Sequence, residues 1–402
     1  MKLLVISNGH GEDIIAVRII EQLQIASKKL EISALPIVGE GYAYKKIDIP
    51  IIGKVQIMPS GGFVYMSKEQ LFSDIKGGLL QLTIEQLKVV RQWGKLGYPI
   101  VAVGDIVPLL FARLSGSKYA FVGTAKSDYY LRDSKGKWLP QTSWLEKQFG
   151  SVYLPWERWL MQSAVGVYPR DTLTTNILQQ QEIKALDLGN PMMDDLVVSY
   201  SPPPSNKTLK ILLLPGSRMP EALQNWEQIL IAVARIVTHL QEYKTVFYAA
   251  IAPGLNITSF QKFLITGDWQ EASTKKMLFQ KRQATLWLAQ DAYARYLEEA
   301  HIAIAMAGTA TEQFVGLGKP AITMPGEGAQ CTHAFMEAQS RLLGCSVLLQ
   351  QSPMGVVSAI KSLLNDPARL KAIAENGCSR MGTSGAASRI ASHITTNLLN
   401  NS

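Results

Sequence analysis

Short, continuously apolar runs alternate along the whole chain with longer segments in which apolar residues recur every three or four positions. Runs of the first kind are typical of strands buried on both faces of a parallel sheet, and segments of the second kind are typical of amphipathic helices. The predicted strands are 3–6, 31–38, 100–103, 119–123, 165–168, 210–214, 245–251, 301–305, 321–324 and 347–349. Their alternation with helical segments predicts an open α/β architecture.

A proline-rich stretch, Ser201-Pro202-Pro203-Pro204-Ser205, interrupts this alternation in the middle of the chain. Consecutive prolines can join neither the interior of a helix nor the interior of a sheet. The stretch therefore predicts a linker between two α/β halves. A length of 402 residues is long for one hydrophobic core and sufficient for two.

The strand predicted at 301–305 ends in Gly308-Thr309-Ala310-Thr311, and helical spacing begins at Thr309. The first amides of a helix have no partner inside the helix and carry the positive end of its dipole, so such a turn favours an anion. Gly308 and Ala310 leave room for a diphosphate to approach the backbone. The alternative is an ordinary turn in which the threonines cap the helix.

A second turn of the same kind follows the strand predicted at 210–214. It reads Leu214-Pro215-Gly216-Ser217-Arg218 and leads into a helical pattern from Ala222 to Leu240. Arg218 adds a guanidinium that can bind two phosphate oxygens at once. Two such turns in one half of the chain predict a single ligand of nucleotide size.

The two turns together resemble the signatures of the lipid-A-disaccharide synthases and their relatives, which have a Leu-Pro-Gly-Ser-Arg loop, a glutamate three residues on (here Glu221) and a Gly-Thr-Ala-Thr loop. Leu154-Pro155-Trp156-Glu157 is similar to that family's Leu-Pro-Phe-Glu motif. The resemblance implies the α/β fold called GT-B, with two Rossmann-like parallel-sheet domains facing across a cleft. We expect an N-terminal acceptor-side domain over 1–200, a C-terminal nucleotide-sugar domain over 208–380, and a helix within 381–402 that packs back on the N-terminal domain.

The same resemblance implies an inverting, metal-independent glycosyltransferase that moves a sugar from a nucleotide sugar, with UDP as the expected carrier, to a lipid or lipid-linked acceptor. No cofactor is expected. Arg218 would stabilise the departing diphosphate. The donor-binding residues implied by the motifs are Gly216, Ser217, Arg218, Glu221, Gly308, Thr309, Ala310, Thr311 and Gln313.

Gln313 is a departure from the family pattern. The family usually has a glutamate there, which bonds the ribose hydroxyls of the donor, whereas this chain has Gln313 and places Glu312 one position earlier. A glutamine can accept the same hydrogen bond, but without the assistance of a charge. Glu312 points about 100° away on the same helix. The identity of the nucleotide therefore stays open among UDP, GDP and TDP.

The N-terminal half offers two candidates for the base that removes the proton of the acceptor hydroxyl. His10 lies in the glycine-bearing loop after the first strand, and an imidazole with a pKa of about 6.5 suits proton transfer at neutral pH. Asp105 follows the strand at 100–103 and is either a second candidate base or the group that orients His10. The alternatives are that His10 only bonds its own loop and that Asp105 caps the next helix.

Further polar residues of this half lie in the segment 124–142 and near the end of the domain. Candidates for the cleft in that segment are Lys126, Asp128, Tyr129, Tyr130 and Arg132. The neighbouring carboxylates Asp194 and Asp195 are interpreted as opening a helix, where the helix dipole favours them, and not as metal ligands. No metal site is predicted.

Charge and composition limit the classes of molecule that the protein is expected to bind. Forty Lys and Arg against thirty-two Asp and Glu give a formal net charge of +8, which favours anionic partners such as nucleotide sugars or an anionic membrane surface. Nucleic acid is disfavoured because no basic run interleaved with aromatics occurs. The three cysteines, Cys331, Cys345 and Cys378, have no disulfide or zinc spacing.

The expected location is the cytoplasm, peripherally on the inner face of a membrane. The apolar run at the N-terminus is too short for a signal peptide, and no run reaches the roughly 20 residues that span a bilayer. Phe63, Tyr65 and Met66, in a glycine-rich segment, are apolar residues that predict contact with a lipid acceptor or a membrane. The alternative is that they cover the domain's own core.

Two other functions remain open at this point. One is a UDP-sugar 2-epimerase on the same fold, which needs acid and base groups around the sugar but no acceptor site. The other is a non-catalytic protein that binds a nucleotide sugar, for which the substitution at Gln313 is the strongest argument.

Overall fold

The computed structural model of the chain describes residues 1–9, 11–56, 79–196, 207–273, 277–326 and 332–400. The chain forms two compact units. One consists of Met1–Asp195 together with Thr383–Ser402, and the other of Leu196–Gly382. Each unit is built on its own largely parallel sheet with helices between successive strands. The predicted α/β class with two Rossmann-like domains is confirmed.

The sheet of the N-terminal unit has five parallel strands in the order β2-β1-β3-β4-β5. They are β1 (Lys2–Ser7), β2 (Glu31–Pro36), β3 (Ile100–Gly104), β4 (Tyr119–Gly123) and β5 (Val167–Pro169). Along β1, Leu3 and Val5 enter one hydrophobic core, whereas Leu4 and Ile6 enter the core on the other face. Burial on both faces is why these strands read as unbroken apolar runs in the sequence.

Seven helices of this unit precede the C-terminal unit within the described ranges. They are α1 (Gly11–Ala26), α2 (Tyr42–Lys45), α3 (Leu79–Lys95), α4 (Ile106–Leu114), α5 (Trp144–Phe149), α6 (Pro155–Gln162) and α7 (Thr172–Gln180). Side-chain caps define several of their starts. Asp171, for example, accepts a 2.8 Å hydrogen bond from the backbone N–H of Thr174 at the start of α7.

The sheet of the C-terminal unit has eight strands in the order β13-β12-β11-β6-β7-β10-β9-β8. They are β6 (Thr208–Leu214), β7 (Lys244–Ala250), β8 (Gln270–Ser273), β9 (Leu278–Lys281), β10 (Ala284–Ala289), β11 (Ile302–Ala305), β12 (Ala321–Thr323) and β13 (Val347–Leu349). The first six strands of this order are parallel, and β9 and β8 extend the edge as an antiparallel pair.

The helices of this unit cover both faces of its sheet. They are α8 (Glu221–His239), α9 (Ile257–Thr266), α10 (Tyr293–Glu299), α11 (Thr309–Gly316), α12 (His333–Leu343), α13 (Pro353–Leu364) and α14 (Pro367–Met381). Trp226 of α8 is fully buried, and its indole N–H donates a 3.2 Å hydrogen bond to the carbonyl of Phe260 in α9. Among the helices of the described ranges, none combines the length and the apolar character needed to cross a membrane.

The last helix, α15 (Ala386–Ile394), belongs to the N-terminal unit and packs on α1. Asp194 fixes its start, because the carboxylate accepts hydrogen bonds from the backbone N–H groups of Gly385, Ala386 and Ala387 at 2.7, 2.9 and 2.8 Å. The helix stabilised by Asp194 is therefore the last one of the chain, 191 residues onward, and not one that Asp194 opens itself. Sequence spacing cannot show a cap supplied from so far away.

Candidate functional site

The strand order of the C-terminal sheet reverses between β6 and β11. From β6 the chain proceeds to β7 on one side, and after β10 it crosses to β11 on the other side. Ligands of open α/β sheets bind at the carboxyl ends of the strands at such a switch point, because the loops there diverge and leave a crevice. Both glycine loops predicted from the sequence, residues 215–220 after β6 and 306–308 after β11, lie at this point.

The two loops are in direct contact. Ala305 pairs with Leu214 at the ends of the two strands, and the N–H of Met306 donates a 2.8 Å hydrogen bond to the carbonyl of Leu214. Gly216 has a φ of +103°, and a Cβ there would lie 3.2 Å from the carbonyl oxygen of Met306. A side chain at Gly216 would thus be strained and would crowd the neighbouring loop.

Buried amides hold the carbonyl groups of both loops. Asn225 Nδ2 donates to the carbonyl of Pro215 at 3.2 Å. Gln339 Nε2 donates to the carbonyls of Ala307 and Gly308 at 3.2 and 3.3 Å, while its Oε1 has no hydrogen-bond partner in the described part of the chain. Because these carbonyl oxygens accept hydrogen bonds from buried side chains, an anion at the loops would be bound by the backbone N–H groups of the loops. Sequence reasoning missed Asn225 and Gln339, since both lie inside helices.

The individual donor-site candidates differ in their surroundings. Thr309 is exposed, whereas Thr311 is fully buried and its hydroxyl donates to the carbonyl of Ala307 at 2.6 Å. Thr311 thus stabilises the loop internally, but it caps no helix N–H: the residue at the N-cap is Gly308, which provides no side-chain cap, so the capping alternative is wrong for this helix. Ser217 is exposed, and Arg218 and Ala310 are partly exposed. Glu221 begins α8, and its Oε2 is buried without a hydrogen-bond partner in the described ranges.

Gln313 has a tyrosine partner that the sequence did not reveal. The hydroxyl of Tyr293, at the start of α10, donates a 2.7 Å hydrogen bond to Gln313 Oε1. The amide oxygen expected to face the ribose is therefore already in contact with a protein donor.

A third loop, after β12, completes this edge of the sheet. A Cβ at Gly326 would lie 2.1 Å from Cε of Met306 and 2.5 Å from Oδ1 of Asn225. A larger residue at this position would require the ends of the Met306 and Asn225 side chains to shift. The place of Gly326 in Met324-Pro325-Gly326, directly after a buried strand, is the signal in the sequence that could have predicted this loop.

The N-terminal sheet has its switch point between β1 and β3. His10 follows β1 in the sequence but lies outside the described residues. Asp105 follows β3 and caps α4, since its Oδ1 accepts a 2.9 Å hydrogen bond from the N–H of Val107. Its own N–H donates to Asn8 Oδ1 at 3.0 Å. Burial raises the pKa of Asp105. The capping interpretation of Asp105 is confirmed, and its role as a base stays a prediction.

Glu12 is a titratable group at this edge that sequence reasoning missed. It lies in the first turn of α1, and its Oε1 accepts a hydrogen bond from Thr124 Oγ1 at 3.5 Å. Burial raises its pKa to about 7, and the carboxylates of Asp105 and Asp13 act in the same direction. A carboxyl group that titrates near neutral pH suits general acid–base work. From the sequence alone, Glu12 cannot be distinguished from the acidic residues that are common in the first turn of a helix.

A buried ion pair between Lys126 and Glu157 stabilises the segment that follows β4. Lys126 Nζ lies 2.6 and 2.7 Å from the two carboxylate oxygens of Glu157, and Glu157 Oε2 also accepts from the N–H of Leu154 at 2.7 Å. Both side chains are largely buried. The segment Leu154-Pro155-Trp156-Glu157 therefore fixes the position of the Lys126 side chain. The positive charge of Lys126 also lowers the pKa of Asp105, against the larger effect of burial.

Two other polar candidates of this segment, Asp128 and Arg132, make their contacts within the unit itself. Asp128 is fully buried and accepts hydrogen bonds from Ser151 Oγ and Val152 N at 2.9 and 3.0 Å. Burial raises its pKa to about 6. The guanidinium of Arg132 lies over the ring of Trp138, 3.4 Å from its centroid, and donates to the carbonyls of Gly136 and Gly150.

Two Rossmann-like units with parallel sheets, the second in the strand order of a dinucleotide-binding fold, define the GT-B fold. No protein-family profile matches the chain, and no curated protein matches it in sequence. Solved structures share its fold over nearly the full length. One is a UDP-GlcNAc 2-epimerase from Neisseria meningitidis bound to UDP-GlcNAc, with a TM-score of 0.55, 14% identity and coverage of 99% of this chain and 100% of that chain.

Two other structures of this fold carry different names. MurG from Acinetobacter baumannii has a TM-score of 0.56 and 14% identity over 98% of this chain and 99% of its own. The glycotransferase of kitacinnamycin has a TM-score of 0.58 and 13% identity over 99% of this chain and 98% of its own. Identities this low establish the fold alone, so the resemblance to lipid-A-disaccharide synthases stays a prediction from the motifs.

Proposed function

We propose that this protein is an enzyme that binds a nucleotide sugar, with UDP as the carrier, and transfers the sugar with inversion to a lipid or lipid-linked acceptor. The proposed place of action is the cytoplasmic face of a membrane, and the proposed reaction needs no metal. The observation that carries the proposal is the contact between the two glycine loops at the switch point of the C-terminal sheet. A chain of the same fold is bound to UDP-GlcNAc.

The C-terminal unit would hold the donor. The amides that follow Gly216 and Gly308 would bind the diphosphate, and the guanidinium of Arg218 would balance the charge that develops as the bond between sugar and diphosphate breaks. Removal of one such donor of charge stabilisation typically lowers the rate about 100- to 1000-fold. Arg218→Ala should therefore lower kcat more than it weakens binding of the intact donor.

The N-terminal unit would supply the base. As the acceptor oxygen attacks the anomeric carbon on the face opposite the diphosphate, its proton passes to a protein group. His10 and Asp105 are the candidates from the sequence, and the structure adds Glu12. Of the two described candidates, Glu12 is the stronger, because burial raises its pKa to about 7, where a carboxyl group can both give and take a proton at neutral pH.

Calorimetric titration with UDP, GDP and TDP tests the donor site. We expect UDP to bind, and Gly326→Ala to weaken that binding because its Cβ would displace Met306 and Asn225. Gly254→Ala is the matched control, since a Cβ at Gly254 meets no atom within 4 Å. Binding of none of the three nucleotides would remove the donor-site assignment. Turnover, once found, should persist in the presence of a chelator.

A UDP-sugar 2-epimerase is the second candidate function. It is favoured by the nearby carboxylates of Glu12 and Asp105 and by the Neisseria meningitidis structure of the same fold. Incubation with radiolabelled UDP-GlcNAc and total membrane lipid separates the alternatives. A labelled lipid supports the transferase, and an isomerised sugar nucleotide supports the epimerase. Neither product, together with nucleotide binding, indicates a non-catalytic binding protein.

A further inference from the structure

An exposed surface of the N-terminal unit combines apolar and basic side chains that neither candidate site uses. It is formed by the end of α3, the end of α4 and the outer face of α6. We call it the tryptophan surface, and its residues are Leu96, Arg113, Leu114, Trp156 and Trp159. We propose that the protein docks on an anionic lipid bilayer through this surface.

The two tryptophans lie on the side of α6 that faces away from the core. They are three positions apart and thus on one side of the helix. Trp156 is 51% exposed and Trp159 is 56% exposed, while Glu157, Leu160 and Met161 of the same helix are buried. An indole has an apolar body and a polar N–H, which suits the boundary between lipid chains and headgroups.

Apolar and cationic groups from the neighbouring helices continue the surface. The guanidinium of Arg113 lies 5.1 Å from the ring centroid of Trp159, which joins α4 to α6, and Leu114 beside it is exposed. The end of α3 touches the end of α4, since a Cβ at Gly94 would lie 2.0 Å from the carbonyl oxygen of Ser115. Leu96, two residues after Gly94, is exposed as well.

The positive charge of these helix segments favours an anionic partner. Residues 88–96, 106–114 and 155–162 contain exposed basic side chains at Lys88, Arg91 and Lys95 and the half-buried Arg113, whereas Arg158 is partly buried near Asp128. Their one carboxylate, Glu157, is buried and bonded to Lys126. Each cation near an anionic bilayer raises partitioning roughly fivefold. A second copy of the chain would bring the same cations face to face, so the charge favours anionic lipid over self-association.

This inference deepens the proposed function, because it names the surface through which the enzyme would reach a lipid-borne acceptor. Vesicle binding is measured without turnover. Failure of the docking proposal therefore leaves the nucleotide-sugar assignment untouched, and failure of the nucleotide titrations leaves the docking result intact.

Sedimentation with phosphatidylcholine–phosphatidylglycerol vesicles tests the proposal, with phosphatidylcholine vesicles for comparison. The full chain should bind the anionic vesicles at low salt and release partly at high salt. Trp156→Ser combined with Trp159→Ser should lower the partition coefficient about tenfold or more. The control is Ile231→Ser combined with Ile265→Ser in the C-terminal unit, where the two isoleucines are 48% and 54% exposed. It should bind like the unsubstituted protein.

Brominated lipids give an independent readout of the same contact. They should quench part of the tryptophan fluorescence of the unsubstituted protein on anionic vesicles, and that part should vanish in the double tryptophan variant. Arg91→Glu combined with Lys95→Glu is a second variant that keeps the test valid if the first one unfolds, and it too should lose binding.

Three outcomes would overturn the proposal. The first is absence of the unsubstituted protein from the anionic pellet. The second is equal binding by the tryptophan variant and the control. The third is a dimer, seen by sedimentation velocity, that the tryptophan variant abolishes, because the surface would then be an interface between copies.

Discussion

The hydroxyl of Tyr293 donates a 2.7 Å hydrogen bond to Oε1 of Gln313. The bond joins the start of α10 to the helix that follows the Gly308 loop, at the carboxyl edge of the C-terminal sheet. Gln313 occupies the position at which the resembling family has a glutamate that bonds ribose. A carboxylate there would have oxygens for both the tyrosine and the ribose, whereas an amide has one acceptor oxygen and one donor group.

The first prediction follows from this bond. Tyr293→Phe removes the protein donor that competes with the ribose for Gln313 Oε1; a neutral hydrogen bond is worth about 0.5–1.5 kcal/mol, so we expect UDP to bind about 2- to 10-fold more tightly. Gln313→Glu should strengthen binding, since a charged acceptor bonds ribose hydroxyls better. Both changes are measured by calorimetry. If neither alters the dissociation constant of UDP, the pair lies outside the donor site.

The second prediction concerns Glu12 and stability. A carboxyl group whose pKa rises from 4.5 to about 7 on folding binds more protons in the folded state, so the stability of the protein falls as the pH rises between these values. Glu12→Gln removes this loss. At pH 8 the variant should be more stable than the unsubstituted protein, by at most about 3 kcal/mol, and near pH 4 the difference should be small.

The same variant should lose activity, typically by about 100- to 10,000-fold for a general acid or base. Urea unfolding at both pH values and steady-state kinetics check the two effects together. Glu21→Gln is the control, because Glu21 lies exposed on the same helix, so its variant should unfold and turn over like the unsubstituted protein. Lower stability of Glu12→Gln at pH 8 would contradict the raised pKa.

The third prediction concerns the buried ion pair of Lys126 and Glu157. Lys126→Met leaves a buried carboxylate without its cation, so we expect a loss of about 3–5 kcal/mol in the free energy of unfolding. The double variant, with Glu157→Gln added, should recover a large part of this loss, because a neutral amide can still accept from the N–H of Leu154. Additive losses in the urea-unfolding cycle would mean that the two groups are not coupled.

The fourth prediction compares two adjacent aspartates. Asp194→Ala removes three hydrogen bonds to the first N–H groups of α15 and should destabilise the N-terminal unit by about 1–3 kcal/mol. Asp195→Asn should cost less than about 0.5 kcal/mol, since that carboxylate is 84% exposed and lies 3.6 Å from Arg18, and an asparagine tolerates the φ of +66° at this position. Thermal unfolding of both variants measures the difference. Equal shifts in Tm would refute the special role of Asp194.

The sequence by itself determined most strands of the two sheets and both glycine loops. A parallel strand covered on both faces must be apolar at every position, so β4 (Tyr119–Gly123) and β13 (Val347–Leu349) were predicted with the bounds that they have. The Gly216 and Gly308 loops could also be predicted from the sequence, because in each of them a strand, a few small residues and the start of a helix follow one another directly in the chain. Their meeting at one switch point follows from the pairing of β6 with β11.

Only the tertiary structure decided which polar side chains have unusual chemistry. The pKa of Glu12 is raised chiefly by burial, with smaller contributions from the adjacent Asp13 and from Asp105, which follows another strand and is distant in sequence. The contacts of Asp194 with α15 and of Lys126 with Glu157 join segments 191 and 31 residues apart. Desolvation and hydrogen bonding depend on what surrounds a group in space, and a periodic pattern records only which face of its own element a residue occupies. His10, Phe63, Tyr65 and Met66 lie outside the described residues, so their predicted roles rest on the sequence alone.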